Sequence, residues 1–154
     1  MHVNCYTVLQ TIRMIGFSLK NIAKIDEDAI ILTPMENWLV LTRRYRKIET
    51  DLIQCLNDSP YTLKDFYVLY FLGQAADHKL RLSDLQVEVG LSQSAMSRLI
   101  QRLEASGCGA IQRTFCAEDK RGVYIQLTSI GEDALRDLTQ LSNQTLASYF
   151  KPEK

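Results

Sequence analysis

The tripeptide Gly90-Leu91-Ser92 constrains this chain more than any other feature. Glycine is the residue best suited to the left-handed conformation that closes a helix, and serine is a preferred helix N-cap. One helix therefore ends and another begins within a single tight turn. Upstream, Ser83 followed by Gln86 has the spacing of a capping box, which predicts a first helix of about two turns ending at Gly90. Downstream, Leu91, Met96, Leu99, Ile100 and Leu103 recur at three- and four-residue spacing. That period predicts a second helix, capped by Ser92 and running to about Ser106, with one apolar face in a core and Leu91 as a buried plug in the turn. Two helices joined by so short a glycine-containing turn form a helix-turn-helix, whose second helix enters a major groove.

The other face of that second helix carries Ser92, Gln93, Ser94, Ser97, Arg98, Gln101 and Arg102, with no carboxylate before Glu104. Short donors and acceptors beside guanidinium groups can read base edges and hold phosphates. The alternative is an ordinary solvated face, but such faces mix acids with bases in pairs. This one lacks them. Beyond the helix, residues 111–115 and 123–127 are short runs containing β-branched and aromatic residues, separated by the polar stretch Ala117-Glu118-Asp119-Lys120-Arg121-Gly122. They predict a β-hairpin with a charged tip, a wing.

Here the chain resembles the MarR family of bacterial transcription regulators. The resemblance rests on Leu91-Ser92-x-Ser94 leading to Arg98-Leu99-x-x-Arg102-Leu103-Glu104. It rests equally on Asp119-x-Arg121-Gly122 followed by Leu127-Thr128-x-x-Gly131, and it covers roughly residues 35–150. It implies a mainly α fold with a small β-hairpin, a winged helix-turn-helix joined to a helical dimerisation region. Its further implications are a two-fold homodimer on a palindromic operator, double-stranded DNA as partner, and a small-molecule effector controlling repression. Arg121 would enter the minor groove, where narrow A·T-rich segments attract guanidinium groups. Lys120 joins it at the tip, and Asp119 would orient the arginine or serve as a plain turn residue.

The chain divides accordingly into an N-terminal helical extension (1–33), a winged lobe (61–128) and dimerisation helices at 34–57 and 129–150. In the extension, Cys5, Val8, Ile12, Ile15, Leu19 and Ile22 form a heptad-like seam. The segment has neither the basic start nor the cleavage site of a signal peptide. The family commonly continues into a further C-terminal helix; here the extension is expected to take its place at the dimer interface. Thr33-Pro34-Met35-Glu36 combines an N-cap, proline at the first helical position and a capping-box glutamate. The helix it opens carries Trp38, Leu41, Tyr45, Ile48, Leu52 and Cys55 on one seam and the bases Arg43, Arg44, Arg46 and Lys47 on another face. Thr62 with Asp65 caps the next helix, rich in aromatic residues and ending near Ala76. Thr128 caps the last, whose expected stripe is Ile130, Ala134, Leu138, Leu141, Leu146 and Phe150. Aromatic residues at helical spacing are usually core; the resemblance adds a second reading, in which Trp38, Tyr45, Tyr67 and Tyr70 line an effector pocket.

Composition limits the remaining classes. The formal net charge is zero across 154 residues, so non-specific affinity for nucleic acid should be modest and the charge segregated. The four cysteines lack metal-ligand spacing and only two histidines are present, so no metal or other cofactor is indicated. No catalytic triad, paired-carboxylate site or phosphate loop can be assembled, which argues against an enzyme. No apolar run is long enough to span a bilayer, and a reduced cytoplasm suits the cysteine usage. The alternative to a DNA-binding regulator is a winged-helix protein-interaction module that docks through its aromatic helix.

Overall fold

The computed structural model describes residues 33–105, 107–115 and 122–150. The N-terminal seam, the C-terminal tail, Ser106 and the wing-tip residues Asp119, Lys120 and Arg121 lie outside the described residues. The architecture is a mainly helical winged helix. Its elements are α1 (Pro34–Cys55), α2 (Leu63–Gln74), a short 3-10 turn (Ala76–His78), β1 (Lys79–Arg81), α3 (Leu82–Val89), α4 (Gln93–Glu104), β2 (Ile111–Phe115), β3 (Val123–Leu127) and α5 (Ser129–Leu146).

Local chemistry sets most of these boundaries. Thr33 and Glu36 form a reciprocal capping box at α1, with Pro34 at the first helical position. Thr62 and Asp65 do the same at α2. Gly90 closes α3 in the left-handed region at φ 67°, and the Ser92 hydroxyl accepts from the Ala95 amide, 3.3 Å away, to open α4. Thr128 accepts from the Gly131 amide at 3.2 Å to open α5. The N-terminus of α3 differs from expectation. The helix starts at Leu82 with Arg81 as its N-cap and no side-chain cap, while the Ser83 hydroxyl turns to Asp84. The cause is β1: an extended segment runs straight into the helix and places the entry two residues earlier than the capping-box pattern suggests.

The sheet has the order β1-β3-β2, both pairings antiparallel. The hairpin strands coincide with the predicted runs, and β1 adds a third strand beside β3. Beneath them lies one core, in which Val68, Leu69 and Leu72 of α2 meet Leu85 of α3, Met96, Ile100 and Leu103 of α4, and Ile111 and Ile125 of the sheet. Leu91 is half-buried against this core rather than fully enclosed.

The two long helices pack on each other at the far side of the lobe, with residues of α5 also against α2. Their burial departs from the apolar stripes. On α1 only Leu52 is fully buried, Ile48 and Cys55 pack at the core's margin, and Met35, Trp38, Leu39 and Val40 are exposed. On α5 the buried residues are Gly131, Leu138 and Ser142, whereas Ile130 and Leu141 face outward. Gly131 is buried because it seats against the Ala110 carbonyl and Leu127, so the packed face departs from the one hydrophobicity alone selects. The end of α5 is tied to α1 by the Tyr149 hydroxyl, which donates to Asp51, and by the Arg44 guanidinium, which donates to the Tyr149 carbonyl at 3.4 Å. Tyr149 and Lys47 together hold the Asp51 carboxyl below the usual carboxylate range.

Candidate nucleic-acid interface

α4 presents two chemically distinct faces because its sequence alternates at helical period. Met96, Leu99, Ile100 and Leu103 are buried, and Ser92, Gln93, Ser94, Ser97, Arg98, Gln101 and Arg102 are all exposed. The seven polar residues thus form one outward surface. Glu104, the carboxylate that ends the helix, is drawn aside by Arg113 of β2, Oε2 to Nε 3.1 Å. That pair draws a negative charge away from the polar face and pins the helix to the wing. Arg98 is exposed and makes no ion pair among the described residues.

Arg102 is placed differently from its neighbours. Its guanidinium meets Oδ1 of Asp65 at 2.5 Å, joining the last turn of α4 to the first turn of α2. Asp65 is fully buried, while the Arg102 side chain remains 49% exposed. Nothing local in the sequence announces this partnership, since the residues belong to different helices; Asp65 reads only as a capping residue.

Two clefts flank α4. One, of about 470 Å³, separates the helix from the base of the wing and is lined by Arg81, Ser83, Gln86, Gln93, Ser97 and Val123, among others. The polar groups Arg81, Ser83 and Gln86 add to the residues expected from sequence, and the extended β1 is what carries Arg81 there. The other, of about 450 Å³, lies on the opposite flank between α4 and the start of α2, with Thr62, Lys64, Arg98 and Arg102 on its walls. Its bases outnumber its acids at the surface. Lys64 is committed inward, donating to the Val89 carbonyl at 3.3 Å and lying 5.2 Å from the Tyr67 ring centre. Burial lowers its pKa from the ordinary lysine value.

The four aromatic residues considered as an effector site are only partly gathered. The Tyr45 hydroxyl donates to Glu49 at 3.0 Å, and Glu49 also lies near Tyr67; burial, with that carboxylate beside it, pushes Tyr67 up to about 12. Tyr70 packs instead with Phe66 and Phe71, its ring centre 5.9 Å and 6.0 Å from theirs. Trp38 stands at the exposed end of α1. Neither cleft beside α4 includes any of the four.

With this geometry established, the chain can be compared with known proteins. A model of the MarR family matches residues 59–122, the segment holding α2, the helix-turn-helix and most of the wing. The lobe is similar to those of MarR-family transcription regulators. Among solved structures, the MarR-family regulator AbsC of Streptomyces coelicolor superposes with a TM-score of 0.69 at 25% identity, covering 79% of this chain and 82% of its own. Sco3205 of the same organism, a MarR-family regulator solved in complex with DNA, gives 0.62 at 24% identity and 82% coverage of both chains. BpsR of Bordetella bronchiseptica, whose DNA binding is regulated by 6-hydroxynicotinic acid, gives 0.63 at 23% identity, covering 77% of this chain and 87% of its own. No curated relative matches the sequence. Among the described residues, no helix of this MarR-type fold is long and apolar enough to cross a membrane.

Proposed function

We propose that this chain is a sequence-specific double-stranded DNA-binding regulator, a ligand-responsive repressor that acts as a two-fold dimer on a palindromic operator. The observation that carries the reading is the exposed, carboxylate-free face of α4, with its one terminal acid tied back to the wing by Arg113. In this reading Gln93, Ser94, Ser97 and Arg98 reach base edges, while Ser92, Gln101 and Arg102 hold phosphates. The wing residues Lys120 and Arg121 engage the adjacent minor groove, with Asp119 supporting the arginine.

The dimer is supported by apolar surface that one protomer leaves bare. Met35, Trp38, Leu39 and Val40 at the start of α1, and Leu141 on α5, are exposed large hydrophobic residues. Burying such a side chain contributes about 1.5–3 kcal/mol, so several together can sustain association. Trp38 lies on that surface, and the Tyr45–Glu49–Tyr67 group lies next to the winged lobe, so a ligand bound among them would sit between the dimer and the reading helix. The response of BpsR to an aromatic acid supports effector control of this kind.

Selection of bound duplexes from random-sequence DNA, followed by measurement of complex mass, tests the proposal. A palindromic consensus occupied by two protomers is expected; recovery of no sequence preference would overturn it. Within the selected site, Gln93→Ala and Arg98→Ala should each cost about 1–3 kcal/mol at one contacted base pair and relax preference there. Equal losses on selected and random duplexes would remove them as base readers. Arg121→Ala should weaken sites with A·T-rich flanks more than those with G·C-rich flanks. Equal losses on both flanks would confine Arg121 to phosphate.

A further inference from the structure

The buried carboxylate of Asp65 has no place in the reading just given, yet it touches the DNA-facing helix. Its two oxygens are divided. Oδ2 accepts from both the amide and the hydroxyl of Thr62, each at 2.8 Å, and Oδ1 accepts from the Arg102 guanidinium at 2.5 Å. The capping box therefore fixes the carboxylate on α2, and the carboxylate in turn fixes the arginine. Asp65 is wholly shielded, whereas half of the Arg102 side chain is open to the surface on the wall of the outer cleft, near Arg98. An arginine has five N–H donors in a rigid fork. One carboxylate oxygen at Nη2 leaves others facing outward, pre-oriented.

We propose that Asp65 is a positioning residue for DNA recognition: unable to touch DNA itself, it holds Arg102 so that the outward side of the guanidinium meets a backbone phosphate. This deepens the DNA-binding reading and rests on it. A phosphate contact made by an arginine already fixed in place costs little ordering, and it sets where α4 sits along the groove. The consequence concerns specificity as well as affinity. Without the carboxylate, Arg102 keeps its charge and still attracts any duplex, but no longer enforces one register on the bases read by Gln93 and Arg98.

The test uses the full chain, a duplex selected by the wild-type protein and a scrambled duplex of the same length. Asp65→Asn keeps an acceptor for Thr62 and removes the charge. Its affinity for the selected duplex should fall about tenfold, the size of one charge-assisted hydrogen bond. Affinity for the scrambled duplex should hold or rise, because the protein has lost a negative charge. A role confined to folding would lower both together. Arg102→Lys supplies a second variant that keeps the charge beside Asp65 but lacks the fork, and the same fall in the ratio is expected. If Asp65→Asn does not fold, that variant decides the matter. Parallel losses on both duplexes, or an unchanged ratio in folded protein, would overturn the proposal. Failure of the wild type to select any sequence is a separate result: it would end the DNA-binding reading and this role with it.

Discussion

Replacing Arg102 by alanine is expected to lower the unfolding free energy by about 1–3 kcal/mol, the usual cost of leaving a buried acceptor without a partner. The asymmetry of the pair makes the effect large. Arg102 is half exposed and would be solvated adequately alone, but Asp65 is fully enclosed and would be left with a charge in the core. Small domains are stable by only about 5–15 kcal/mol, so the variant would melt well below the wild type. An internal control is at hand in Arg136, whose pair with Asp133 has both side chains about 70% exposed, at 73% and 69%. Arg136→Ala should change stability by no more than about 0.5 kcal/mol. Urea unfolding of the two variants compares them directly, and equal midpoints would mean that the Asp65–Arg102 contact is not a buried pair in solution. Adding Asp65→Asn to the Arg102→Ala protein should restore part of the loss, since the uncompensated charge is then gone.

A comparable loss is expected from Gly131→Ala, for a steric reason. A Cβ at Gly131 would lie 2.0 Å from the Ala110 carbonyl oxygen and 2.9 Å from a Leu127 methyl. That carbonyl cannot retreat. It accepts from the Thr128 amide at 3.1 Å, and the Ala110 amide donates to Leu103 at 3.0 Å. Overpacking of this kind costs about 1–3 kcal/mol, and more when backbone must move. Gly73→Ala makes the informative comparison. Its Cβ would meet a Leu135 methyl at 2.3 Å, the end of a side chain that can rotate away. Alanine also improves helix propensity by about 1 kcal/mol, so Gly73→Ala should be close to neutral. Thermal melts that ranked the two substitutions in the opposite order would refute the packing argument.

How far the sequence discloses this structure depends on the range of the interaction concerned. Gly90, Ser92, Thr33, Thr62 and Thr128 act within one turn of the chain, and each helix boundary they predict is observed. The hairpin strands are legible because β-branched and aromatic residues flank a polar tip. β1 is not, since three residues show no period, and its presence displaces Ser83 from the cap. The exposed face of α4 follows from helical periodicity, but the clamp on Arg102 does not. Residues 37 positions apart must first be folded together before the carboxylate finds the guanidinium. The faces of α1 and α5 are misjudged in part for a related reason. Burial falls on Gly131, seated against the Ala110 carbonyl, and on Ser142, which hydrophobicity passes over, and leaves Ile130 and Leu141 outside.

The strand order carries a mechanical consequence. Because β3 lies between β2 and β1, the inner half of the hairpin is clasped along both edges, and β1 passes without a loop into α3. The wing is consequently a lever whose fulcrum is inside the lobe. A pull on its tip, such as bound DNA would exert under the proposed function, must either bend the strands outward of Thr114 and Tyr124 or rotate α3 as well. Since α3 ends at Val89 and α4 begins at Gln93, torque delivered to the wing reaches α4 through a three-residue joint. In the proposed complex with DNA, engagement of one groove would thereby become a load on the element proposed to read the other.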